Sequence, residues 1–143
     1  MAYSTNSDVQ SEFKNLTYSS GGITSAEVDE FIDQEDAFID GIVGRKYTTP
    51  ITGTYALRII KNISIQLVTS RIKRILAVKT GIPETEQDSS GNLFGQAKTK
   101  LDDIAAGRLL LSDATLGNTS DGVDSFAVSD DLEHIFKRDE QQW

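Results

Sequence analysis

A single histidine, His134, and no cysteine set the first limit on what this chain can catalyse. A histidine-rich metal site or a catalytic triad cannot be assembled within one copy, and thiolate chemistry is excluded outright. Carboxylates are plentiful, with 22 Asp and Glu against 14 Lys and Arg. General acid–base work, however, needs two carboxylates held in distinct environments, and no pair is singled out. Asp33, Asp36 and Asp40 follow helical spacing and share a face that has the oxygens for a divalent cation, although a solvated acidic face is the commoner outcome of that pattern. Ser89-Ser90-Gly91-Asn92 lacks the glycine spacing and the lysine of a phosphate-binding loop. Arg58, Lys61, Arg71, Lys73, Arg74 and Lys79 suit phosphate chemically, but they are scattered around their segment without interleaved aromatics. The net charge of −8 further argues against sequence-independent affinity for nucleic acid. These residues predict no enzyme, no cofactor and no metal site, and they direct attention to contact surfaces.

The elements that must carry those surfaces are helical. Thr54 to Lys79 holds no Gly or Pro, and its apolar residues recur at three- and four-residue intervals. Ala56, Ile60, Ile63 and Leu67 form one stripe, while Ile65, Val68, Ile72, Ile75 and Leu76 form a second, rotated around the axis. A helix patterned in this way meets different neighbours at its two ends. Its bases face an upstream segment of opposite sign, Glu27, Asp29, Glu30, Asp33, Glu35, Asp36 and Asp40. Such segregation permits pairing within the chain or between copies and sets orientation more than it adds stability, because exposed pairs contribute only ~0–1 kcal/mol each.

In chain order, a short helix is predicted over about Ser7–Asn15, capped by Thr5, Asn6 or Ser7. Ser19-Ser20-Gly21-Gly22 breaks the chain. Thr24 and Glu27 form a capping box for a second helix, with Ile23 and Val28 as its staple and Gly44 as a left-handed stop. Glu35 falls inside that helix's apolar stripe, where it is expected to reach past the edge of the core; the alternative is a cation across an interface. Arg45–Gly53 is an extended loop around Pro50. Its Tyr47 and Ile51 either meet a neighbouring subunit or cover the end of the bundle. Gly81–Asn92 reads as a polar loop, Leu93–Ala106 as a fourth helix ended by Gly107, and Leu109–Leu111 as a segment packing back. The longest apolar run, Ile75–Val78, is far too short for a membrane helix, and the first ten residues show no signal-peptide pattern. A soluble protein made in a cytoplasm, with no membrane partner, is expected. The fold class expected is all-α, a small bundle of about four helices around one long central helix, over residues 1–111. A C-terminal arm over 112–143 follows. Its first part, Ser112–Gly122, is predicted to be disordered in the free subunit. Asp131–Lys137 has the pattern of a short amphipathic helix.

The order of motifs adds a resemblance. Asp40-Gly41, then Arg45-Lys46-Tyr47-Thr48-Thr49-Pro50, then a long helix, then Leu101-Asp102-Asp103-Ile104-Ala105-Ala106-Gly107-Arg108 resembles the head–tail connector, or head-completion, proteins of tailed bacteriophages, over about Val9–Leu111. The resemblance implies a helical ring subunit, usually one of twelve copies, seated in the virion neck below the portal protein after synthesis in the host cytoplasm. There it extends the DNA channel without sequence-specific contact and docks a stopper or tail-completion protein. Asp29, Asp33, Asp36, Asp40, Arg58, Lys61, Arg71, Lys73, Tyr47 and Ile51 are the candidate contacts between copies. Phe126, Val128, Leu132, Ile135, Phe136 and Trp143 are the candidate anchors of a portal-binding arm. Two rival roles stand beside this one: another neck protein, or a DNA-binding regulator built on the basic helix.

Overall fold

A computed structural model describes residues 2–13, 17–80 and 88–117. Its centre is the long helix expected from the gap-free apolar pattern. In chain order the elements are α1 (Asn6–Ser11), a 3-10 turn (Tyr18–Gly21), α2 (Ser25–Val43), α3 (Thr54–Thr80) and α4 (Asp88–Ala105). The all-α reading holds, and the described residues contain no strand, only an isolated antiparallel bridge between Tyr47 and Leu116.

The two stripes of α3 each have their own core. Ala56, Ile60, Ile63 and Leu67 pack with Ile39 and Val43 of α2, with Ala97, Leu101 and Ile104 of α4, and with Tyr3, Tyr47, Ile51 and Leu111. Val68, Ile72 and Leu76 pack instead with Val9, Tyr18, Ile23, Val28 and Ile32. One helix thereby staples two small cores together, and neither α1 nor the 3-10 turn, each too short to be stable alone, needs a partner other than α2 and α3.

Local chemistry sets the ends. Thr5 and Asp8 form a capping box for α1, and Thr24 and Glu27 form the predicted one for α2. Each cap's backbone N–H groups donate to a carboxylate at a positive helix end, and Glu27 is held below its ordinary value chiefly by the N–H of Thr24. Gly107, at φ 75°, closes α4. The N–H of Gly107 donates to the Ile104 carbonyl at 3.1 Å and that of Arg108 to the Asp103 carbonyl at 2.8 Å, the paired bonds of a left-handed stop.

Four expectations change. Gly44 is right-handed, at φ −61°, because turns continue to Lys46 and bring Tyr47 into the core. The fourth helix begins at Asp88, taking five residues from the predicted loop, and α1 ends at Ser11. Glu35 does not reach past the core edge; it pairs at 3.2 Å with Arg71 of α3, whose guanidinium also lies 4.3 Å from the centre of the Phe31 ring. Finally, residues 112–117 are ordered by contacts. Asp113 accepts from the N–H groups of Tyr55 at 2.6 Å and Ala56 at 2.8 Å, so it caps α3 from 58 residues downstream. Thr48 donates to the Thr115 carbonyl and Gly117 to the Lys46 carbonyl, each at 2.9 Å. The remainder of the predicted arm, including Phe126, Val128, Leu132, Ile135, Phe136 and Trp143, lies outside the described residues.

Candidate interaction surface

The acidic second helix turns its carboxylates in two directions. Asp36 is buried, at 5 % exposure, near Asp33 and Asp40 of its own helix, the N-terminal residue Tyr3 and Ser64 of α3. Its Oδ2 accepts from the Tyr3 N–H at 2.6 Å and its Oδ1 from the Ser64 hydroxyl at 2.6 Å, while Ser64 also meets the Ser4 hydroxyl at 2.8 Å. Burial raises the Asp36 pKa above its ordinary value, and the two hydrogen bonds oppose that shift. The Tyr3 hydroxyl donates to Asp40 and accepts from the Ile51 N–H at 2.9 Å. Burial, then the Asp40 hydrogen bond, push the Tyr3 hydroxyl far above its usual range. These groups lie near the boundary between the two cores: Ser4 falls between Tyr3 and Val9, and Asp36 between Ile32 and Ile39, each pair drawn from different clusters. Of the three acids that share the helical spacing, Asp36 thus has both oxygens engaged with the protein.

The other candidate contact residues divide similarly. Tyr47 and Ile51 are buried in the first core, and the Tyr47 hydroxyl accepts from the Leu111 N–H at 3.1 Å. They cover the end of the subunit's own bundle. Lys61 pairs with Asp8 at 2.9 Å, which with the Thr5 bonds draws the Asp8 pKa below its ordinary value. Arg71 is held by Glu35, and Lys79 donates to the carbonyls of Gly21 and Gly22. Asp29 accepts from the Asn6 side-chain amide at 3.1 Å and stays exposed, as do Asp33 and Arg58, with Lys73 half-buried.

A surface that the sequence did not reveal lies between α2 and α4. Phe38, Ile42 and Arg45 line one wall of an open groove of about 710 Å³; Phe94, Lys98, Asp102, Ala105 and Ala106 line the other. Phe38 and Phe94 stay 40 % and 45 % exposed. Two helical glycines sit beside them: Gly41 shares a face with Phe38 and Arg45, and Gly95 with Lys98 and Asp102. A Cβ added at either would meet nothing within 4 Å. Glycine inside a helix costs about 1 kcal/mol relative to alanine, and the subunit's own packing offers no reason for it at either place. The signal in the sequence is the i, i+4 pair Phe38–Ile42, whose spacing is the same for a buried stripe and for a groove wall.

The two motifs that carried the connector resemblance meet at one end of this groove. The Lys46 ammonium lies directly against Gly107, and Lys46 and Tyr47 anchor the segment 115–117. Comparison with known proteins gives a match to a family model described as Bacteriophage Mu, Gp36, over residues 3–129. No curated protein and no solved structure matches.

Proposed function

The chain belongs to the bacteriophage Mu Gp36 family, and from that premise we propose that it is a structural subunit of the phage particle, acting as a head–tail connector in the virion neck. In this reading copies assemble as a ring on the portal protein, extend the DNA channel and present a docking surface to the next neck component. The observation that carries the reading is the surface. A subunit that satisfies most of its buried polar groups internally still leaves two phenylalanines facing water in a groove, beside an exposed acidic face with Asp29 and Asp33. Such a combination suits an assembly subunit, because exposed aromatics rimmed by charge are the usual composition of a contact surface.

The motif order resembling connector proteins supports the same placement, as does the meeting of those motifs at one end of the bundle. A regulator binding DNA through α3 is less well supported. Lys61, Arg71 and Lys79 are engaged within the subunit, and the chain's net charge is −8. Among the described residues no helix is long and apolar enough to cross a membrane.

Electron microscopy of purified particles, combined with capture by isolated portal rings, tests the proposal. Density for this fold directly on the portal, and salt-resistant capture by portal rings, are expected. Location in the tail tube or baseplate, or absence from the particle, would remove the connector role while leaving family membership intact.

A further inference from the structure

We propose that the groove between α2 and α4 is the docking site of the chain's own segment 130–137, bound as a short amphipathic helix. The occupant is argued from where the chain goes. Gly117, the last described residue, donates to the Lys46 carbonyl, next to Arg45 of the groove wall, so the chain beyond it starts from the groove's end. The distance is small: Phe94 to Ala105 spans about 16 Å of helix, whereas the eleven residues from Gly117 to Val128 reach about 36 Å when extended.

The chemistry of the segment matches the groove. In a helix, Leu132, Ile135 and Phe136 fall on one face, which complements Phe38, Ile42 and Phe94. Asp131 and Glu133 flank that face, and the stretch 118–143 carries seven acids against two bases, −5 of the chain's −8. Arg45 and Lys98 stand on opposite walls of the groove to receive them. The tether makes the event intramolecular and favours the chain's own segment over a free competitor. This inference stands apart from the connector role; if that role holds, the same apolar face cannot lie in the groove and on a portal at once, so docking would be the resting state of the free subunit.

The chain has no cysteine, so Ser129→Cys in the full protein gives a unique site for a nitroxide label. The amide signals of Phe38, Ile42, Phe94 and Lys98 should disappear with the label oxidised and return on its reduction. Adding Leu132→Asp and Phe136→Asp should restore them without disturbing the rest of the spectrum. A mixture of labelled protein at natural isotope abundance with unlabelled ¹⁵N protein should show no loss. Unbroadened groove signals, or broadening that survives the double substitution and so reports only the tether, would overturn the proposal. Loss in the mixture would assign the groove to a second copy instead.

Discussion

Asp36 shows how one residue can be misplaced by its neighbours in sequence. It lies in an acidic helix, yet it acts as an internal acceptor joining the N-terminal residues to α2 and α3. Removing it by Asp36→Ala strands the Tyr3 N–H and takes one partner from Ser64, and should lower the unfolding free energy by about 2–4 kcal/mol in urea titration. Asp36→Asn should cost less, since the amide oxygen accepts from Tyr3 and its NH₂ donates to Ser64. The pH dependence has a definite sign. Asp36 holds its proton more tightly folded than unfolded, so its contribution is fully present below the ordinary carboxylate value, 3.8, and is lost as pH rises through the raised folded value. Wild-type stability minus that of Asp36→Asn should therefore fall with rising pH across that window. The difference isolates Asp36 from Asp8 and Asp113, whose lowered values make their contributions fade as pH falls. A flat or rising difference would show that Asp36 is not desolvated in solution.

At the scale of the element, α3 depends on a cap supplied from far downstream. Asp113 satisfies two of the N–H groups that every helix start leaves open. Gly53 makes this possible, because a Cβ there would lie 2.7 Å from the Asp113 Cγ and closer still to its carbonyl oxygen. Gly53→Ala should destabilise the fold by about 1–3 kcal/mol through that overlap. Asp113→Ala should accelerate amide exchange selectively at Tyr55 and Ala56 and lower the melting temperature. Asp113→Asn should recover much of both losses, because its amide oxygen can still accept one of the bonds. Equal exchange in wild type and Asp113→Ala would mean that water caps α3 just as well.

For the whole molecule, the ordered domain extends past Leu111. A chain ending at Gly117 should unfold cooperatively with α1 to α4 intact, whereas one ending at Leu111 loses the α3 cap and the Tyr47–Leu116 bridge and should melt at a lower temperature by circular dichroism. Identical melting of the two would limit the domain to Leu111. Assembly through α2 has a separate test. Asp29→Lys with Asp33→Lys changes only exposed carboxylates, so helical content should stay the same while ring formation on portals weakens. Asp36 is unsuited to that test, since replacing it disturbs the core before it disturbs any neighbour. Normal assembly of the double variant would assign the acidic face to the channel or to solvent.

Helix identity was legible because it follows from nearest neighbours along the chain. The gap-free run of α3, its two stripes, the Thr24–Glu27 capping box and the stop at Gly107 all depend on spacings of a few residues, and all are present in the fold. The two stripes even foretold two cores, because a face that rotates cannot pack on a single partner. Long-range polar contacts were a different matter. Spacing alone sets Asp36 nearer the core face than Asp33, but only the approach of the Tyr3 N–H and Ser64, 33 residues before it and 28 after, makes it an internal acceptor while Asp33 stays in water. The Asp113 cap and the pairing of Glu35 with Arg71 arise in the same way. So does the groove: Phe38 and Phe94 follow the pattern of core residues on their own helices, and they stay exposed because α2 and α4, both packed on α3, leave a channel between them that no described segment fills. Periodicity tells which residues share a face, whereas the distance between faces, and therefore which of them remains a surface, is set only when the helices pack.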